Sequence, residues 1–270
     1  ANPDTLYRVF GTGDWGNKEK FTDELIKDMI EGFSAIELGN NAVDTDVLGD
    51  AYEYLVGKFA DVTRRNKAGE FYTPRSVVRM MVEILDPKEG ESIYDPACGT
   101  GGMLISCLAE VKRNGGDTRT IGLYGQELIN ITAAIARMNL VIHGVSDFDI
   151  RSGNTLHEPA LIEGDRLKTF DVVLANPPYS IKKWNREAWQ SDQWGRNFLG
   201  TPPQGNADYA FFQHILKSMN PKTGRCAILY PLGILERHAE SAMRKQLVER
   251  DLVECVLGLG IRFQERAVRD

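Results

Sequence analysis

The sequence predicts an α/β protein built on a doubly wound, mostly parallel sheet. Three observations lead to this fold class. From Glu91 onward, short apolar runs alternate with amphipathic helical stretches. A glycine-rich turn joins the first run to the first helix, and polar residues follow several of the runs. Strands separated by helices pair in parallel, and ligands bind beyond the carboxyl ends of such strands.

The individual elements follow from the spacing of apolar residues. Short apolar runs bounded by turn residues indicate buried strands, and apolar residues three or four positions apart indicate helices. In chain order these patterns predict strands at Glu91–Tyr94, Ile121–Tyr124, Asp147–Arg151, Phe170–Ala175, Cys226–Tyr230 and Leu252–Gly258, and helices at Gly102–Arg113, Ile131–Leu140, Asp208–Met219 and Ala239–Arg250.

The first residues are interpreted separately from this alternating region. The stretch Gly11–Gly16 matches the G-x-G-x-x-G pattern of dinucleotide-binding turns, but a single match of this kind is weak. Trp15 crowds the turn, and no further strand–helix units follow before Asp46. We therefore interpret residues 1–45 as the remnant of a helical N-terminal domain and residues 46–270 as the catalytic domain.

Composition limits the classes of function. The 270 residues are 42% hydrophobic, enough for one large core or two small ones. A net charge of −6 argues against a protein that grips nucleic acid with its whole surface. The four cysteines and four histidines show no metal-ligand spacing, so no metal is expected. With no apolar run near about 18 residues and no signal peptide, the sequence indicates a soluble cytoplasmic protein without a membrane partner.

A glycine loop runs from Asp95 to Gly102, between the first strand and the first helix of the alternating region. Glycines let the backbone approach a ligand closely, and Asp95 can accept a hydrogen bond from an amino group. A dinucleotide-binding loop would look similar. Glu127, at the end of the next strand, favours a nucleoside because a carboxylate can accept from both ribose hydroxyls; a surface glutamate is the alternative. The glycines concerned are Gly99, Gly101 and Gly102.

The second candidate motif is Asn176-Pro177-Pro178-Tyr179, directly after the apolar run that ends at Ala175. A planar amine is a poor nucleophile because its lone pair is delocalised. Oxygens of Asn176 and Pro177 aimed at its hydrogens would localise that lone pair toward an incoming methyl group. Tyr179 offers a ring face on which a flat base can stack. A plain turn after a strand is the alternative.

Other polar features are less specific. Asn154 can hold the adenine amine of a cofactor or cap a turn, and both remain open. The basic stretches Arg64–Lys67 and Lys182–Arg186 suit phosphate contacts, and Trp184 adds an aromatic ring for stacking. Solvated loops would have the same composition. The stretch Ile181–Asn206 is long for a loop without regular structure, and such loops are often functional.

With these motifs, the stretch from Asp46 to Leu257 resembles the modification (M) subunit of Type I restriction-modification systems, an adenine-specific DNA methyltransferase of the gamma class. Its distinctive part is Asp46–Leu55 followed by Gly69–Arg75. The resemblance implies a class I S-adenosylmethionine-dependent methyltransferase fold in a bacterial or archaeal cytoplasmic protein. It implies methyl transfer at Asn176, Pro177, Pro178 and Tyr179, and S-adenosyl-L-methionine bound by Glu70, Phe71, Tyr72, Thr73, Pro74 and Arg75 together with Thr100, Gly101, Gly102 and Glu127.

The resemblance also implies partners. They are double-stranded DNA with a flipped adenine, a separate specificity (S) subunit, a second M subunit and, in the full complex, a restriction (R) subunit. The sequence has no G-x-x-x-x-G-K-[ST] loop for ATP-driven cleavage. Aspartate is commoner in the family at Asn154, and no final antiparallel strand follows Leu259. We therefore expect a fragment of a longer protein.

Three other functions stay open at this point. The Asn176–Tyr179 motif can methylate a glutamine amide in a protein, since that nitrogen has the same delocalised lone pair; the Glu70–Arg75 segment and the basic loop favour DNA instead. A nicotinamide oxidoreductase would use the glycine loop but has no need of Asn176–Tyr179. A non-catalytic assembly subunit would retain the fold alone.

Overall fold

The computed structural model describes residues 16–37, 51, 54 and 73–260. No helix within these ranges is both long and apolar enough to cross a membrane. The helices are α1 Asp23–Ser34, α2 Arg75–Leu85, α3 Gly102–Arg113, α4 Asn130–Ile142, α5 Arg186–Trp189, α6 Asp208–Lys217, α7 Gly233–Glu236 and α8 Ser241–Glu249, with short 3₁₀ turns at Thr118–Thr120 and His238–Glu240. The strands are β1 Ser92–Asp95, β2 Gly122–Glu127, β3 Phe148–Ser152, β4 Ile162–Glu163, β5 Arg166–Leu167, β6 Val172–Ala175 and β7 Arg225–Ile228.

Five strands form one parallel sheet in the order β3-β2-β1-β6-β7. The chain starts at the central strand β1, moves outward through β2 to β3, and then crosses back to place β6 on the other side of β1. The order therefore reverses between β1 and β6. Open parallel sheets bind ligands beyond the strand ends at such a reversal. A separate antiparallel hairpin joins β4 to β5.

Helices cover both faces of the sheet. Ile93 and Leu174 belong to the apolar layer formed with α2, α3 and α4. Tyr94 and Val173, the adjacent residues in the same strands, belong to a second layer with Ile215 of α6. Successive strand side chains point to opposite faces, so each layer has its own helices. This arrangement confirms the predicted doubly wound α/β fold.

Most predicted elements are present, but the structure also has helices that the sequence patterns do not predict, namely α2 and the short α5 and α7. The predicted strand Leu252–Gly258 is wrong: this stretch forms no strand, and its residues are largely exposed. Apolar composition alone does not make a strand: this stretch pairs with no strand of the described sheet, although β7 is an edge strand. The hairpin β4–β5 was not predicted, because its strands have only two residues each. α1 lies within the expected helical N-terminal segment, whereas almost all of Gly11–Gly16 lies outside the described residues.

The buried Gly125 in β2 allows a close contact between β2, β3 and the glycine loop. A β carbon at this position would lie 2.8 Å from the Ile150 Cδ1 atom and 2.9 Å from the Cys98 Sγ atom. We expect Gly125→Ala to lower the free energy of unfolding by about 1–3 kcal/mol, because the core must shift to admit one methyl group. Urea denaturation measures this change. Gly205→Ala is the control, because a β carbon there would meet no described atom within 4 Å; equal stability losses in the two variants would contradict the contact argument.

Candidate active site

Three polar side chains lie at the carboxyl edge of the sheet. β1 ends at Asp95, β2 ends at Glu127, and Asn176 directly follows β6. Because β2, β1 and β6 are neighbouring parallel strands, their carboxyl ends lie side by side. The structure therefore brings these residues to the edge where the strand order reverses. Their chemical roles stay predictions at this point.

The glycine loop turns sharply between β1 and α3. Gly99 and Gly101 have φ angles of 53° and 82°, a conformation that favours glycine. The Gly101 N–H donates to the Cys98 carbonyl at 2.8 Å, and α3 begins at the next residue, Gly102. The Thr100 carbonyl accepts from the Asn139 side chain at 3.0 Å, which ties the loop to α4. The loop thus presents the start of α3, whose first-turn amides have no partner within their own helix, toward the strand ends.

Glu127 holds the glycine loop in place. Its Oε2 atom accepts from the Gly99 N–H at 3.0 Å, and its Oε1 atom accepts from the Ile129 N–H at 2.9 Å. Glu127 is half-buried, so it is not the solvated surface glutamate of the alternative interpretation. A role toward ribose hydroxyls stays a prediction.

Asp95 is a buried carboxyl group, with 2% of its surface exposed. Burial raises its pKa, the hydrogen bond from the Ala97 N–H opposes this, and the nearby charge of Glu127 adds to the rise; the resulting pKa is about 7. Desolvation and a like charge both disfavour the ionised form. A ligand cation between the two strand ends would relieve both effects, so the electrostatics of this edge favour a positively charged ligand.

The turn after β6 carries its own hydrogen bonds. The Tyr179 hydroxyl donates to the Oδ1 atom of Asn176, so the acceptor predicted to face an amine is held by Tyr179 in this structure. Burial, with a smaller contribution from the Asp208 carboxylate, raises the pKa of Tyr179 to about 12, which keeps the hydroxyl protonated near neutral pH. Within the described ranges no donor reaches the Pro177 carbonyl. Pro177 is buried, whereas Pro178 is exposed.

Thr73 orients the Asn176 side chain. The Asn176 Nδ2 atom donates to the Thr73 Oγ1 atom at 2.8 Å, across 103 positions of sequence. Because the amide nitrogen points to Thr73, the amide oxygen faces the opposite way, toward Tyr179. Sequence reasoning placed Thr73 in the cofactor segment and did not reveal this bond, since no local pattern signals a contact over such a distance.

The described residues include only the second half of the predicted cofactor segment Glu70–Arg75. Pro74 caps the N-terminus of α2, and its carbonyl accepts from the Val77 and Val78 N–H groups. Arg75 is the exposed first residue of that helix. The predicted cofactor contacts of Glu70, Phe71 and Tyr72 lie outside the described residues.

Asn154 caps a turn after β3. Its Oδ1 atom accepts from the N–H groups of Leu156 and His157, at 3.0 and 3.2 Å. Of the two roles considered for Asn154, the structure therefore shows the turn cap. An adenine amine needs an acceptor, and the amide oxygen already accepts twice. Contact with a cofactor stays a prediction; the side-chain nitrogen can only donate, so it would suit a ring nitrogen of adenine and not the amine.

The stretch Ile181–Asn206 is packed rather than open. Trp184 is 7% exposed and Trp189 is 2% exposed, so the predicted stacking of a DNA base on Trp184 is wrong. Arg196, 1% exposed, pairs with Asp192 and lies 4.5 Å from the Trp189 ring centre. A buried ion pair and aromatic contacts hold this long connection in place. Of the cations in the basic stretch, Lys182 and Lys183 are exposed for phosphate contacts, whereas Arg186 is half-buried and donates to the Pro202 carbonyl at 2.8 Å.

A family model for N-6 DNA methylase matches residues 43–263 of the chain. The methylase subunit of the Type I restriction enzyme MjaIX from Methanocaldococcus jannaschii is 36% identical over 230 residues, which cover 83% of this chain and 40% of that protein. The methylase subunit of the Type I restriction enzyme HindI from Haemophilus influenzae is 34% identical over 218 residues, covering 79% of this chain and 47% of that protein.

A solved structure shows the same architecture. The crystal structure of a type I restriction-modification system methyltransferase subunit from Streptococcus thermophilus matches with a TM-score of 0.76 and 32% identity. The match covers 91% of this chain and 53% of that chain. The present chain therefore spans about half the length of the relatives it matches, or less.

Proposed function

We propose that this chain, which belongs to the N-6 DNA methylase family, transfers a methyl group from S-adenosylmethionine to the exocyclic amine of adenine in DNA. It would act as the methylase subunit of a Type I restriction-modification enzyme. One observation supports this most strongly: Asn176 and Pro177 follow β6 directly, at the edge where the strand order reverses, and each carries an oxygen that can accept a hydrogen bond. A planar amine needs such a pair of acceptors.

The residues of the carboxyl edge fit S-adenosylmethionine, the methyl donor that the class I fold and the family imply. Asp95 accepts one hydrogen bond through Oδ1, and among the described residues no donor reaches its second oxygen. An ammonium group at Asp95 would supply a donor and a compensating charge. Glu127 would accept from ribose hydroxyls, and Gly99 and Gly101 would allow the backbone to approach the ligand.

Acceptor activation is assigned to the turn after β6. The bound cofactor supplies an electrophilic methyl carbon. Asn176 Oδ1 and the Pro177 carbonyl would each accept one hydrogen of the amine, which localises the nitrogen lone pair as the transition state forms. By accepting from the Asn176 Nδ2 atom, Thr73 keeps the Asn176 oxygen on the opposite side, available to the amine. Stacking on Tyr179, worth about 1–3 kcal/mol, would offset part of the cost of flipping the base from the duplex.

Sequence specificity is assigned to a partner. The net charge of −6 does not support strong contact with DNA by this chain alone. The relatives are named as subunits of Type I restriction enzymes, and we infer that a specificity subunit, a second methylase subunit and a restriction subunit complete the assembly. The exposed Lys182 and Lys183, two and three positions after Ser180, would contact phosphates beside the flipped adenine.

A labelled-methyl assay tests the proposal. Unmethylated genomic DNA contains every short recognition site, so it serves as substrate without knowledge of the sequence recognised. The chain is incubated with radiolabelled S-adenosylmethionine and this DNA, with and without the specificity subunit, and the nucleosides are then analysed by mass spectrometry. We expect label in N6-methyladenine, and none from DNA already saturated with that base.

The other outcomes select among the alternatives. Label on glutamine in a protein mixture would identify a protein methyltransferase. Label on cytosine would show that the enzyme methylates cytosine and not adenine. Cofactor binding without transfer to any acceptor, even with the specificity subunit, would assign a non-catalytic assembly role.

Asp95 predicts a pH dependence of cofactor binding. Its carboxyl group has a pKa of about 7, so it becomes ionised as the pH rises through neutrality and then attracts the ligand cation. We expect the affinity for S-adenosylmethionine to fall as the pH is lowered below 7, by up to about tenfold per pH unit. Calorimetric titration between about pH 5.5 and 7.5 measures this. The upper limit keeps the α-amino group of the cofactor, which titrates at about 7.7–8.0, mostly in its charged form.

For the ligand-free protein, the same carboxyl group predicts that stability changes with pH in the opposite direction to cofactor affinity. The folded pKa is above the ordinary value of 3.8, so the stability that this group contributes is present at low pH and is lost as the pH rises through about 7. Asp95→Asn should flatten the pH dependence of both cofactor affinity and protein stability. If the asparagine variant keeps the pH dependence of binding, another group is responsible for it.

A further inference from the structure

Asp208 lies directly behind the turn that carries Asn176 and Tyr179. It is the first residue of α6, and its side chain is fully buried, with no exposed surface. Its Oδ1 atom accepts from the Ser180 N–H at 2.7 Å. Ser180 is the residue that follows Tyr179, so this bond holds the main chain at the end of the turn.

The backbone conformation of Ser180 requires such support. Its φ angle is 52°, in the left-handed region that residues other than glycine seldom adopt. A residue in this conformation persists only where its surroundings hold it. The Asp208 carboxylate supplies this hold through one short, charge-assisted bond.

Asp208 is itself fixed by two further contacts. Its Oδ2 atom accepts from Arg237 at 2.5 Å, and Arg237 also pairs with the buried Glu240 at 2.6 Å. Its main-chain carbonyl accepts from the Tyr230 hydroxyl at 2.9 Å. The ring centre of Tyr230 lies 6.5 Å from that of Tyr179. Asp208 therefore reaches Tyr179 through the main chain of Ser180 and through the ring of Tyr230.

From this geometry we propose that Asp208 is a positioning residue for methyl transfer. Its carboxylate holds Ser180 in the left-handed conformation, and this sets the direction of the Tyr179 ring relative to the oxygens of Asn176 and Pro177. Thr73 fixes the beginning of the same turn through Asn176, so Asp208 and Thr73 hold its two ends. The effect on transfer rests on the proposed methyltransferase function, whereas the effect on Ser180 does not.

Three variants test this role. Asp208→Ala removes the acceptor of the Ser180 N–H, and Asp208→Asn retains an oxygen at that position while removing the charge. Glu240→Gln is the matched control, because it changes the same buried ion cluster on the far side of Arg237 and has no bond to the turn. For each variant we would measure kcat for methyl transfer, Kd for S-adenosylmethionine, thermal stability, and protection of the Ser180 amide from hydrogen exchange by NMR.

We expect Asp208→Ala to lose the protection of the Ser180 amide and to lower kcat by about a hundredfold, the scale of a misplacement of about 1 Å, with Kd within about twofold of the wild-type value. The kcat of Asp208→Asn should be at least about tenfold higher than that of Asp208→Ala, because the asparagine oxygen restores the bond to the Ser180 N–H. Glu240→Gln should keep Ser180 protected and kcat near wild type.

The relation between Ser180 protection and kcat decides the outcome. Loss of protection with unchanged kcat, or an equal loss of kcat in Glu240→Gln, would overturn the positioning role. If Asp208→Ala does not fold, Asp208→Asn and Glu240→Gln are compared instead. Loss of Ser180 protection with unchanged kcat, or an equal loss of kcat in the two variants, would again overturn the role. If the wild-type protein transfers no methyl group, the proposed function fails, while the exchange measurement still reports whether Asp208 holds Ser180.

Discussion

Replacing Asn176 with alanine is expected to lower kcat for methyl transfer by at least about 100-fold, the scale measured when one electrostatic contact to a transition state is removed. The affinity for S-adenosylmethionine should stay within about twofold, since Asn176 is proposed to contact the amine of the acceptor base and not the methyl donor. Single-turnover kinetics with labelled cofactor and equilibrium titration measure the two quantities separately.

Two matched variants refine this prediction. Asn176→Asp retains an acceptor oxygen and should lose less activity than Asn176→Ala. Thr73→Val removes the hydroxyl that accepts from the Asn176 amide, while Thr73→Ser keeps it, so the valine variant should have the lower kcat of the two. If cofactor affinity falls in Asn176→Ala as much as transfer does, Asn176 belongs to the cofactor site and the proposed acceptor role is wrong.

Replacing Glu127 with alanine is expected to weaken cofactor binding by about 1.5–3 kcal/mol, the scale of hydrogen bonds to a charged group, or about 10- to 150-fold in Kd. The physical reason is the loss of acceptors for the ribose hydroxyls. The structure adds a second consequence, because Glu127 also accepts from the Gly99 N–H and so holds the glycine loop. Part of the loss could therefore come from the loop.

A double comparison separates these two contributions. An analogue of the cofactor that lacks both ribose hydroxyls should bind the wild-type protein more weakly than the natural cofactor does. In Glu127→Ala the natural cofactor and the analogue should bind about equally, because the contact that distinguishes them is gone. If the difference persists in the variant, another residue binds the ribose, and Glu127 acts through the loop alone.

The candidate site could be located from sequence because its parts are local. A strand, a glycine turn and a helix follow one another from Ser92 to Arg113 in both the sequence pattern and the structure. Parallel strands place their carboxyl ends at one edge, so Asp95, Glu127 and Asn176 could be expected together from their positions at strand ends alone. Backbone preferences and side-chain periodicity operate over a few residues, and they are written directly in the sequence.

The bonds that hold the site depend on the tertiary fold. Thr73 meets Asn176 because the strands between them return the chain to α2, and Asp208 meets Ser180 because the long connection between them folds back onto the turn. The burial of Trp184 has the same origin, since its environment comes from distant elements. Residues 252–258 show that local composition is not enough, because this apolar run pairs with no strand and stays largely exposed. Sequence by itself determined the type of fold, the strand ends and the residue types that favour methyl transfer, because these arise from short-range chemistry. Tertiary structure alone decided which side chains orient one another, because contacts between residues distant in the chain exist only after the sheet and its helices have packed.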